Sequence, residues 1–106
     1  MTRGELAARW HALEWLWLGV ARDVTSDDAR RLAWGVSLLC LQRAGALGVL
    51  ACEASTEEAY RDLAFRFAPT YAGNLPSRVF HAVACTALVA SEDLATQADD
   101  PASNPS

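Results

Sequence analysis

Lysine is missing altogether: all nine basic residues of the 106-residue chain are arginine. Together with abundant alanine, this reads as a GC-rich coding bias and says little about function. Positive charge is scarce as well. Nine arginines against thirteen carboxylates leave a net charge of −4, which argues against a duplex-DNA or anionic-membrane binder, since such proteins need cationic charge to displace counterions. There is no Gly-x-Ser-x-Gly elbow, no glycine-rich phosphate loop and no His-Glu-x-x-His pair, so the common routes to acyl transfer, nucleotide binding and zinc-assisted hydrolysis have no motif. No stretch alternates in strand fashion, and no hairpin signal or internal repeat occurs. Glu5 stands where a secretory leader would place its apolar region. The apolar run 32–52 holds Gln42 and Arg43 at its centre, which is costly in lipid, so it predicts a core helix and no membrane span.

What the chain does have is apolar residues, 52% of the total, and legible helix starts. "TRGE" (Thr2–Glu5), "TSDD" (Thr25–Asp28) and "STEE" (Ser55–Glu58) each set a hydroxyl three residues before a carboxylate, the capping-box spacing. Asn74, followed by Pro76, marks a fourth start. The expected fold is all-α: a compact bundle of four helices at about 3–23, 26–53, 56–68 and 75–95. Short connections near 24 and 54 would make the first three antiparallel neighbours. A helix over 26–53 would extend roughly 40 Å, too long for so small a domain. Gly45 and Gly48 are therefore the expected break, which would give five helices. Pro69 ends the third helix. Residues 1–95 form one domain, and 96–106, without large apolar groups, form a disordered tail.

Helical periodicity puts Leu6, Trp10, Leu13, Trp17, Val20 and Val24 on one core stripe of the first helix. Trp15 and Leu18 fall on the far side, with His11 and Arg22. The second helix is apolar all round from Leu32 to Leu41, which predicts a central, surrounded position. The fourth is nearly as apolar between Val79 and Ala90. Two such helices are more than four can easily enclose. A dimer mate, a partner protein or the second face of the first helix must cover the surplus. Trp15 and Leu18 either pack inside or form an exposed docking patch, where tryptophan is a favoured anchor.

Three cysteines, Cys40, Cys52 and Cys85, all sit in apolar surroundings and predict buried, reduced thiols in the cytoplasm. His81 and Cys85 have a metal-gripping i,i+4 spacing, and His11 with Cys40 or Cys52 would complete a set of four. No second close ligand pair supports a metal, and buried thiols with a hydrogen-bonded histidine explain the same residues better, so no metal, cofactor or catalytic role is assigned. Helix-turn-helix binding over 56–90 fails, because the loop is too long and only Arg78 and His81 could read bases. Carboxylates gather at two corners: Asp23, Asp27 and Asp28, and then Glu53, Glu57 and Glu58. They complement helix N-termini, make the i,i+4 pairs Glu57–Arg61 and Asp62–Arg66, or offer an acidic surface to a basic groove on a partner.

In size, acidity, helical make-up and want of catalytic motifs, from "MTRGELAARWHALEWLW" through "VFHAVACTALV", the chain resembles the small anti-CRISPR proteins of phages and mobile elements, above all inhibitors of type I-E systems. That family has no shared signature, so the resemblance assigns no residue a role. It implies a non-enzymatic inhibitor that binds a larger host protein or complex. The implied targets are components of a type I CRISPR effector, either Cascade or its recruited helicase-nuclease, whose DNA binding or cleavage would be blocked. Trp15, Leu18 and the two acidic corners form the expected contact surface, without direct nucleic-acid contact. The competing readings are a structural or regulatory homodimer and a metal- or small-ligand-binding bundle.

Overall fold

Three of the helices begin where a side chain accepts a free amide of the first turn. The computed structural model describes residues 1–48, 52–67 and 74–99. It places α1 at Arg3–Asp23, α2 at Asp27–Ala46, α3 at Glu53–Arg66 and α4 at Leu75–Asp99, with no strand among the described residues. The fold is the all-α four-helix bundle that the patterning indicates.

Thr2 caps α1 by accepting the Glu5 amide at 3.1 Å, and Asn74 caps α4 by accepting the Ser77 amide at 2.9 Å. Two expected caps move. α2 is capped by Ser26, which accepts the Ala29 amide, rather than by Thr25. α3 starts at Glu53 behind Cys52, with no side-chain cap, so Ser55 lies inside its first turn. Thr56 is not available as a cap either: its hydroxyl donates to the Cys52 carbonyl and also meets His11 Nδ1.

The second helix does stop at its glycines. The Leu47 amide closes back on the Arg43 and Gly45 carbonyls, and Gly48 takes φ +147°, a conformation that side chains resist. Arg3 at the start of α1 donates to the Leu47 carbonyl at the end of α2. No fifth helix occurs among the described residues. α4 continues through 96–99, past the expected start of the tail, and the rest of that tail lies outside the described residues, as does Pro69.

The central helix is α1, not α2. Of the four, α1 alone packs against each of the others, while α2, α3 and α4 surround it. Leu6, Ala7, Ala12 and Leu13 are fully enclosed, and the small alanines let the neighbouring helices approach. α2 and α4 both run antiparallel to α1, since Ala33 and Ala82 share a cluster with Ala21 while Arg43 meets Asp93 at the other end. They therefore run in the same direction, tied to each other by Arg43 and Asp93.

Polar ties lock this arrangement. Asp93 is only 4% exposed. It accepts two bonds from Arg43 at 2.7 Å, one from the Trp10 indole at 2.9 Å and one from Gln97 at 2.9 Å. These donors, Arg43 first, hold its carboxyl at about 2, against an ordinary 3.8. Arg9 bridges Asp62 of α3 and Glu92 of α4 at 3.2 and 3.0 Å. Trp17 donates to Thr86 at 2.9 Å. His81 is fully buried, and burial lowers its pKa below 6.5.

Two outcomes are expected. Ser26→Ala should cost about 1 kcal/mol in denaturant unfolding, whereas Thr25→Ala should cost almost nothing. Asp93→Asn should cost about 2 kcal/mol, or about 10 °C in thermal melts. Asp93 has a depressed folded pKa, so its contribution is complete above the unfolded value of 3.8 and is lost as pH falls toward 2. His81 resists protonation when folded, so stability should begin to fall earlier, once pH drops below 6.5, and His81→Gln should flatten that first slope in pH-dependent melts.

Candidate protein-binding surface

The tryptophan that faces solvent is Trp34, not Trp15. Trp15 is half-buried, its ring 5.6 Å from His11 and 6.2 Å from Tyr60 of α3. Leu18 is half-buried beside it. With Arg22, Tyr60 and Arg78 the two line an open cleft of about 370 Å³. The cleft's two arginines converge on Asp23, which Arg78 holds below its ordinary pKa by a direct hydrogen bond. Trp15 and Leu18 therefore do not project as a patch.

Most of the surplus apolar surface lies on α2 and α4, while on α3 Phe65 is 83% exposed. Trp34 is 53% exposed, and Leu32, Leu38, Leu39, Phe80, Val83 and Leu94 are exposed as well. On α2 the exposed groups fall on two flanks. Asp27, Trp34 and Leu38 are separated by seven and four residues and share one flank. Leu32, Val36, Leu39 and Arg43 follow 4-3-4 spacing on the other, which faces α4 because Arg43 reaches Asp93 there. Exposed Arg31 and Gln42 run between the flanks.

The acidic corners do not form one surface. Asp23, Asp27 and Asp28 are exposed where α1 ends and α2 begins. Glu58 lines a second cleft with Gly4 and Glu5, at the opposite end of α1. The 21 residues of α1 put roughly 30 Å between them. Both expected helical pairs are present, Glu57–Arg61 at 3.8 Å and Asp62–Arg66 at 3.2 Å. Asp27 pairs with Arg30 at 3.3 Å. Glu53 and Glu58 are exposed, and no ion pair involves them among the described residues. Only the first corner adjoins the exposed tryptophan.

Cys85 Sγ lies 3.5 Å from His81 Nε2, but both are buried, and burial pushes the thiol up to about 11. The raised pKa keeps the Cys85 thiol protonated at neutral pH and disfavours the nucleophilic thiolate. Cys40 is likewise buried and raised to about 11. Cys52 departs from the expected burial: it is exposed at the start of α3, and a bond with the Ser55 hydroxyl at 3.2 Å together with nearby amides lowers its pKa. No three histidine, cysteine or acidic side chains come together to hold a metal among the described residues. By length and composition alone, α4 between Leu75 and Gln97 could cross a membrane, and in this structure it carries the ion-paired Asp93.

No protein-family model, curated protein or solved structure matches the chain.

The three thiols should separate cleanly in alkylation at neutral pH followed by mass mapping. Cys52 should label in the native protein, and Cys40 and Cys85 only after unfolding.

Proposed function

We propose that this chain is a non-enzymatic binding protein that acts by occupying a surface of a larger protein. The observation that carries the reading is Trp34, an exposed indole beside exposed Leu38 on the flank of α2 that begins at Asp27. Large aromatic anchors dominate binding energy once desolvated, and exposed tryptophan is uncommon on surfaces without a partner. The neighbouring carboxylates Asp23, Asp27 and Asp28 would steer the flank toward a basic surface. The buried, un-ionised state of the Cys85–His81 pair is in keeping with a protein that binds without doing chemistry.

The resemblance to anti-CRISPR inhibitors makes a type I-E effector the first target to assay. Purified Cascade and its helicase-nuclease should each be tested for binding by interferometry and for inhibition of DNA cleavage. Trp34→Ala should weaken the productive interaction about 30-fold, equivalent to about 2 kcal/mol, while leaving the melting temperature unchanged. Asp27→Asn with Asp28→Asn should slow association and reduce its sensitivity to salt. Absence of both binding and inhibition by the wild-type chain would overturn the type I-E assignment. Inhibition indifferent to Trp34 would overturn the proposed surface.

A further inference from the structure

Along α4 the residues Pro76, Phe80, Val83, Ala87, Ala90 and Leu94 recur at alternating intervals of four and three. That is a 3.5-residue period, the seam spacing of paired helices. The seam is not spent inside the bundle. Phe80 is 72% and Leu94 65% exposed, and Val83 and Ala87 are exposed between them. The flank of α4 that meets α1 and α3, marked by His81, Cys85 and Glu92, lies roughly 150° around the helix from this seam. Exposed Leu32 and Leu39 of α2 extend the apolar surface, because their flank turns toward α4.

The geometry points to a second copy of this chain as the occupant, with α4 packed against α4 across a two-fold axis. Three features favour a copy over an unrelated partner. Between Leu32 and Leu94 the only charges belonging to the face among the described residues are Arg43 and Asp93, which neutralise one another at 2.7 Å. Two molecules of net charge −4 can therefore meet here without opposing unpaired carboxylates. Small Ala87 and Ala90 stand mid-seam, flanked by Phe80, Val83 and Leu94, so two copies can approach closely while each large group fits past its equal. A two-fold contact requires this kind of self-match. The area is also sufficient. Five large exposed side chains offer on the order of 500 Å², the greater part of the roughly 800 Å² that each partner buries in a stable interface. The alanines and the edges of both helices add to it.

This inference stands apart from the proposed target binding, because Trp34 and Leu38 occupy the opposite flank of α2 and stay open in such a dimer. The test is the mass of the isolated chain, read by sedimentation equilibrium and light scattering across a dilution series. The expected result is twice the 11.4 kDa of one chain. Val83→Glu and Leu94→Glu, both at solvent-facing positions, should each raise the dissociation constant about 100-fold, with the helical circular dichroism retained. Trp34→Ala should leave the mass unchanged. A wild-type chain that stays monomeric throughout overturns the proposal, and so does a dimer indifferent to both seam variants. A monomer whose α4 face instead binds phosphatidylcholine vesicles also overturns it. Because no target is present in these measurements, a monomer removes the dimer and leaves the target-binding reading untouched.

Discussion

The carboxylate of Asp93 is the constraint on which the arrangement of the other elements depends. A charge buried to this degree is tolerated only when donors surround it. Here they come from three helices: the Trp10 indole of α1, the Arg43 guanidinium of α2 and Gln97 of α4 itself. Apolar contacts alone would let α4 slide or rotate against α1 at small cost, because its alanines and valines are similar in size. The Asp93 bonds have one register. Once they are made, the inward side of α4 and the α4-facing side of α2 are both fixed. So is the apolar surface that remains outside.

The position of α1 explains why its sequence carries tryptophan on more than one side. A central helix has neighbours all round, and each indole finds a different one. Trp10 and Trp17 sit half-buried, and each spends its N–H on a polar side chain of α4. Trp15 points elsewhere, against His11 and Tyr60. Between these large groups, Ala7, Ala8, Ala12 and Ala21 are buried and keep the surrounding helices close. Large rings at the seams and small residues beneath the neighbouring backbones let the helices pack closely.

Much of this was legible in local sequence. Helix caps act within four residues, so Thr2 and Asn74 were readable, as was the glycine break that ends α2. The start of α3 was not: the expected cap Ser55 lies inside the first turn with its hydroxyl beside Cys52 Sγ, and Cys52 holds the cap position without a side-chain bond. Distance along the chain hid Arg43–Asp93 and Arg9–Glu92, whose partners are 50 and 83 residues apart. One signal was available: Arg43 and Asp93 are opposite charges set toward the C-terminal ends of two largely apolar helices, and each needs a partner. The misplacement of α2 has a different cause. Apolar residues all round a helix show that every side will be covered, but not whether the cover comes from the same chain. Trp15 and Trp34 were indistinguishable by composition for that reason. Which of them faces water follows from which helix is central.

A helix at the edge of a bundle with apolar residues on both exposed sides presents two flanks, and on α2 these differ in kind. The flank beside α4 is neutral, regular in spacing and continuous with a second helix. A surface of that sort suits a lasting contact with its own copy, because nothing on it repels an identical face. The flank of Trp34 begins among unevenly paired carboxylates and offers one large anchor, which suits encounter with an oppositely charged partner. The polar line of Arg31 and Gln42 keeps the two apart, so occupancy of one does not consume the other. On these proposals a dimer would present two Trp34 flanks. A target with two copies of the recognised surface would then be held more tightly than the single contact allows, wherever the spacing of the two sites matches the dimer.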